Sequence, residues 1–331
     1  MRIASAVVWM GLAPVVIACG TRADDPVAPS MDVAAVQAGR ASFEWSEPAW
    51  LGPVINSPTR ELNPELAAGG LSLYFTSERE GGIQIYVSRR ATGSCPWEAP
   101  VKLGPNINNG DANFSAALSP DGRLLFFARG DHSGQDIYVS RREDPNEDFG
   151  WGPSVKLGPE VNTTDNESGP AFLQAGGGEF YFNRGDRPDT KIWVIRMRHD
   201  GRTSGEARLV SELNHPVAVN GAVTVRRDGR ELIFWSGGAA GERPGTVGLA
   251  DLFVSTRQNV NEPWGEPRSL GRPVNHEGAD LEATLSADGK TLVYSTARPG
   301  GLGRQDLWMS VRSPHGESVA EPSNGSGCPS S

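Results

Sequence analysis

A short leucine-to-asparagine phrase returns five times along the chain. It reads LGPVIN to Asn56, LGPNIN to Asn108, LGPEVN to Asn162, LVSELN to Asn214 and LGRPVN to Asn275. The copies recur roughly every 50–60 residues, a period that marks a repeat architecture in which one supersecondary unit stacks on the next. Such a chain folds about a common axis, so equivalent residues return around it and a site is shared between repeats.

Each repeat carries the same order of signals. A polar entry leads to a short strand such as Phe114–Leu118, then to a turn of the Ser119-Pro120-Asp121-Gly122 or Ser286-Ala287-Asp288-Gly289 type. Proline fixes φ and glycine accepts positive φ, so these stretches suit tight turns. A second apolar strand follows (Leu124–Phe127 in the second copy), then a loop rich in glycine and arginine. The third strand is the most regular: Ile85–Ser88, Ile137–Ser140, Ile192–Ile195, Leu252–Ser255 and Leu307–Ser310. Its β-branched and aromatic residues fit a packed strand. A fourth strand is expected to run from Trp97, Trp151 or Trp264 into the leucine phrase. No segment shows a helical period.

Four short strands per unit predict an all-β, five-bladed β-propeller of four-stranded antiparallel blades over residues 44–313. The second copy (ALSPDGRLLFFARGDHSGQDIYVSRR) and the fifth (TLSADGKTLVYSTARPGGLGRQDLWMSVR) resemble the WD40-like, TolB-type propeller repeat. The phase of the copies says how the ring closes. The chain opens with a fourth-type strand near Trp45–Leu51 and ends after a third-type strand near Val311, so the N-terminal strand is expected to complete the last blade.

The first residues read as a targeting segment. Arg2 precedes an apolar run from Ile3 to Ala18, which is short for a membrane span of about 20 residues. Val16-Ile17-Ala18-Cys19 resembles a bacterial lipobox. The resemblance implies a signal peptide over 1–18, lipidation at Cys19, and an outer-membrane lipoprotein facing the periplasm or the surface. Residues 19–43 read as a linker and 314–331 as a poorly ordered tail. An exported protein permits a disulfide between Cys95 and Cys328, with two unpaired thiols as the alternative. The net charge of −9 excludes a general affinity for nucleic acid, which needs a basic field.

Aligning the copies on their turns brings out two rings. One lies at the entry of the innermost strand: Glu61, Asn113, Ser168, Asn220 and Asp280, with Glu282 two residues beyond Asp280. The second is basic and follows the second strand: Arg79, Arg129, Arg184, Arg243 and Arg298. The arginines are read either as a rim for carboxylate or phosphate groups or as partners of nearby acids. No nucleophile elbow, metalloprotease motif or phosphate loop is present. The five histidines are scattered, so neither metal nor cofactor is expected. The leading expectation is therefore a monomeric, non-catalytic, lipid-anchored propeller that docks an envelope protein or glycan on its loop face. The alternative is a carbohydrate-active enzyme using funnel acids, with Glu61, Asp280 and Glu282 as the candidate carboxylates.

Overall fold

The computed structural model describes residues 43–110, 112–131, 134–238 and 243–314, together with Cys328. The signal segment, Cys19, nearly all of the linker and most of the C-terminal tail lie outside the described residues, as does part of the long loop of the fourth blade.

Five antiparallel sheets form the blades. The innermost strands are Glu61–Leu66, Asn113–Leu118, Glu167–Leu173, Val219–Val225 and Asp280–Leu285. Third strands run over Gln84–Arg89, Gly134–Arg141, Lys191–Met197, Ala250–Thr256 and Asp306–Pro314. The ring closes as the phase of the repeats predicts: Phe43–Trp45 and Ala49–Trp50 both pair with the third strand of the fifth blade. Among the described residues, helix is confined to Gly52–Ile55 and one 3₁₀ turn. Among the described residues no helix is long and apolar enough to cross a membrane.

The outermost strands are shorter than the sequence suggests. They span only Val101–Lys102, Val155–Lys156 and Arg268–Ser269, against Thr203–Leu209 in the third blade. Pro100, Pro153 and Pro267 stand just before the short ones. Proline has no N–H for the ladder, so pairing begins only after it. The tryptophans upstream pack instead against the arginine that follows the third strand, with the guanidinium of Arg142 4.3 Å from the Trp151 ring and that of Arg257 4.2 Å from Trp264.

The repeated asparagine makes up for the missing strand length. In every blade its side-chain Oδ1 accepts the N–H of the first leucine or isoleucine of the third strand, and its Nδ2 donates to that same residue's carbonyl. The pairs are Asn56 with Leu307, Asn108 with Ile85, Asn162 with Ile137, Asn214 with Ile192 and Asn275 with Leu252. The carboxamide thus stands in for a peptide group, satisfying backbone that would otherwise be buried unpaired. Asn56 does this across the closure, joining the start of the propeller to its last strand.

Between the blades the core is aromatic, with Tyr74, Phe75, Phe126, Phe127, Phe180, Phe182 and Phe234 fully buried. Cys95 and Cys328 form a disulfide with Cα atoms 5.7 Å apart.

Candidate functional site

The five loop arginines converge on one arrangement. In each blade a guanidinium Nη2 donates to the carbonyl just before the repeated asparagine: Arg79 to Ile55, Arg129 to Ile107 (2.9 Å), Arg184 to Val161 (2.8 Å), Arg243 to Leu213 and Arg298 to Val274 (2.5 Å). The same guanidinium reaches the first polar residue of the inner strand. Arg129 Nε lies 2.9 Å from Asn113 Oδ1, Arg184 Nε 2.9 Å from Glu167 Oε1, and Arg243 Nη2 2.8 Å from Asn220 Oδ1. Arg79 and Arg298 stand 3.4 Å from Glu61 and Asp280. Each guanidinium also covers two rings, one from the second strand and one from the third, as with Phe127 at 5.2 Å and Tyr138 at 4.4 Å from Arg129.

Three backbone origins deliver this one guanidinium position. Arg129 and Arg184 sit on the second strand, directly opposite Asn113 and Glu167. In the first and fifth blades a hydroxyl, Ser77 or Thr296, takes that place and the arginine follows two residues later. In the fourth blade Ser236 takes it and Arg243 returns from the long loop, its Nε 2.9 Å from the Ser236 hydroxyl. Burial lowers the pKa of Arg129, and lowers that of Arg243 to about 10. Burial likewise raises the carboxyl pKa of Glu167 and Asp280. The arginine ring therefore ties the loop face to the inner strands, and its donors are directed inward.

Ser168 does not belong to the inner ring. Its neighbour Glu167 occupies the position of Glu61, Asn113, Asn220 and Asp280, opposite Arg184. The turn that follows in the third blade, built around Ala175–Gly177, is one residue longer than the others, so counting back from it lands one residue late. Glu61 and Asp280 are fully buried; Glu61 accepts from Ser57 and Ser77, and Asp280 from the His276 N–H at 2.6 Å.

The groups that face the axis lie further along the inner strands. Each inner strand bulges two residues past the position that faces the arginine, where Asn63, Ser115, Gly169, Ala222 and Glu282 all take positive φ. Only glycine adopts this region without cost, and the other four hold it because neighbouring blades fix it. The amide N–H of Asn63 donates to Glu282 Oε2 at 3.1 Å, that of Ser115 to Thr76 Oγ1 and that of Ala222 to Asn183 Oδ1. From this level to the turns at Ala68, Pro120, Arg227 and Ala287 the strands enclose a channel with a cavity of about 130 Å³.

Among the described residues lining that cavity the acids are Glu65 and Glu282. Glu65 comes from the first blade and spans two junctions: its Oε1 accepts the Leu118 N–H of the second blade at 3.0 Å, and its Oε2 the Thr284 hydroxyl of the fifth at 3.2 Å. Protein surrounds both carboxyls, although the channel leaves each side chain partly open. Desolvation pushes Glu65 up to about 7, against the pull of its two hydrogen bonds. Burial also raises Glu282, while the Asn63 N–H and the charges of Arg187 and Arg60 favour its ionised form. Glu65 escaped the sequence reading, which stopped at the third inner-strand position. Its signal was a lone acid where the other blades carry Ala117, Ala171, Thr224 and Thr284.

No family model matches the chain, and no curated protein matches it. Solved structures do. The exo-1,5-α-L-arabinanase from a bovine ruminal metagenomic library superposes with a TM-score of 0.55 at 13% identity, over 78% of this chain and 99% of that one. The endo-arabinase of Bacteroides thetaiotaomicron gives 0.52 at 16% identity, over 81% and 97%. The α-L-arabinofuranosidase catalytic domain of Coprinopsis cinerea gives 0.51 at 10%, over 82% and 98%. TolB of Acinetobacter baumannii gives 0.46 at 17%, and this chain spans 56% of its length. At these identities the likeness is one of fold. It nevertheless overturns the expectation of a non-catalytic docking module, because the structures matched along nearly their whole length are named as glycan hydrolases.

Proposed function

We propose that this protein is a carbohydrate-active enzyme that hydrolyses glycosidic bonds with Glu65 and Glu282. The observation that carries the reading is the pair of channel carboxyls held in unequal environments. A glycosidase needs one carboxyl protonated at working pH and one ionised, and unequal surroundings separate the two roles. Glu65, pushed up to about 7, retains its proton near neutrality and serves as the acid that protonates the leaving oxygen. Burial raises the Glu282 carboxyl as well, and Glu282 is assigned the water-activating role because the Asn63 N–H and the charges of Arg187 and Arg60 oppose that rise, a pairing with cations that Glu65 lacks. The buried Glu61 and Asp280 hold the arginine ring and have structural roles.

The names of the structural neighbours make α-L-arabinan and arabinofuranosyl-decorated xylan the first substrates to assay. Release of reducing sugar should fall by about 10²–10⁴-fold in Glu65→Gln and Glu282→Gln. In the parent protein kcat/KM should decline as pH rises through about 7, where Glu65 loses its proton. Folded protein that releases nothing from arabinan, xylan or acidic plant polysaccharides would sink the reading, as would activity that survives both substitutions.

A further inference from the structure

Five arginines of the loop face spend their donors inside the blades, and a sixth does not. Arg187 sits in the third-blade loop between the second and third strands. It is exposed, and none of the described residues hydrogen-bonds or ion-pairs with it. The loop's own acids leave it free: Asp186 accepts from the Asn166 amide, and Asp189 has no ion pair with it. The guanidinium instead stacks across a blade boundary, 5.2 Å from the centroid of the buried Trp235 ring in the fourth blade. Stacking fixes the plane of the guanidinium and leaves its N–H edge available.

The place of Arg187 gives that edge a purpose. Its charge acts on Glu282, which lines the loop-side end of the channel cavity. Gly221, on the inner strand beside Trp235, leaves room there, since a Cβ would lie 3.1 Å from the ring. Arg60, the other cation acting on Glu282, is already paired with Glu78. One guanidinium without an ion pair among the described residues, held 5.2 Å from the Trp235 ring, thus carries a charge that acts on the expected catalytic carboxylate.

We propose that Arg187 binds the carboxylate of a uronic-acid unit in the glycan substrate, so that acidic units raise affinity above that of the neutral glycan. The planar fork matches a carboxylate in bidentate fashion, which a neutral sugar cannot supply. The proposal rests on the glycosidase reading for its substrate but is tested by binding alone.

The Glu65→Gln variant, expected to bind without turnover, is titrated calorimetrically with oligogalacturonate, with its carboxyl-reduced counterpart and with acetate. Oligogalacturonate should bind at least about tenfold more tightly than the reduced form, and Arg187→Gln should abolish the difference. Arg187→Lys, which keeps the charge and loses the fork, should recover only part of it. Raised salt should weaken the acidic oligosaccharide alone. Equal affinity for the acidic and reduced forms, indifference to Arg187→Gln, or acetate binding as tightly as the oligosaccharide would each overturn the proposal. Arg187-dependent binding without hydrolysis by the parent protein would leave this site standing and remove the glycosidase reading. Hydrolysis of arabinan together with equal affinity for the acidic and reduced forms would do the reverse.

Discussion

Glu65 makes stability depend on pH. Its folded-state pKa of about 7 lies above its ordinary value of 4.5, so the folded protein holds a proton that the unfolded chain releases. The stabilisation is complete below about 4.5 and is lost as pH rises through about 7. Each pH unit between those two values corresponds to about 1.4 kcal/mol, so the loss amounts to roughly 3 kcal/mol at most. Denaturant titrations of the parent protein between pH 4.5 and 8 should show this decline from Glu65, and Glu65→Gln should flatten it. A slope unchanged in the variant would mean that the carboxyl titrates normally. The same residue marks a limit of sequence reading. An acid beside proline at the end of a strand reads as surface; only the ring, by placing Leu118 and Thr284 around it, makes it a channel group.

At the scale of the strand, the bulges offer a direct test of how the blades impose conformation. Ala222 holds φ of 40°, with its N–H on the Asn183 carboxamide. A left-handed alanine costs about 1 kcal/mol relative to glycine there, and Gly169 already fills the equivalent place in the third blade. Ala222→Gly should therefore leave stability unchanged or raise it by up to about 1 kcal/mol in urea titrations, whereas the same change in a regular strand lowers it. A loss above about 1 kcal/mol would show that the Ala222 methyl group contributes more by packing than the backbone strain costs. Strand order, blade number and closure were legible from the repeated phrase, because a fixed period and a fixed phase leave one way to close a ring. The site was less legible because its geometry depends on small departures from the period. One extra residue in the Ala175–Gly177 turn moved Ser168 into the place of Glu167. Arginines from three backbone positions reached one guanidinium site, which alignment by position cannot distinguish from a ligand-facing rim.

Closure of the whole molecule rests on two devices that act at neighbouring seams. Phe43–Trp45 and Ala49–Trp50 zip onto the last strand, with Asn56 bonded to Leu307 beside them. The Cys95–Cys328 disulfide then ties Cys328 to the first blade, across a sequence separation of 233 residues. A covalent link that spans so much sequence restricts the unfolded chain strongly, by roughly 5 kcal/mol in the loop-entropy view, and measured disulfide contributions fall below that limit. A net contribution of about 2–4 kcal/mol translates into a Tm change of roughly 5–15 °C for a domain of this size. Cys328→Ser and Cys95→Ser should each lower Tm by that amount, and the double variant should be no worse than either, since both remove one bond. Reductant should bring the parent protein down to the variants and leave the variants unmoved. If the single variants melt with the parent, the hydrogen-bonded strand closure alone holds the ring.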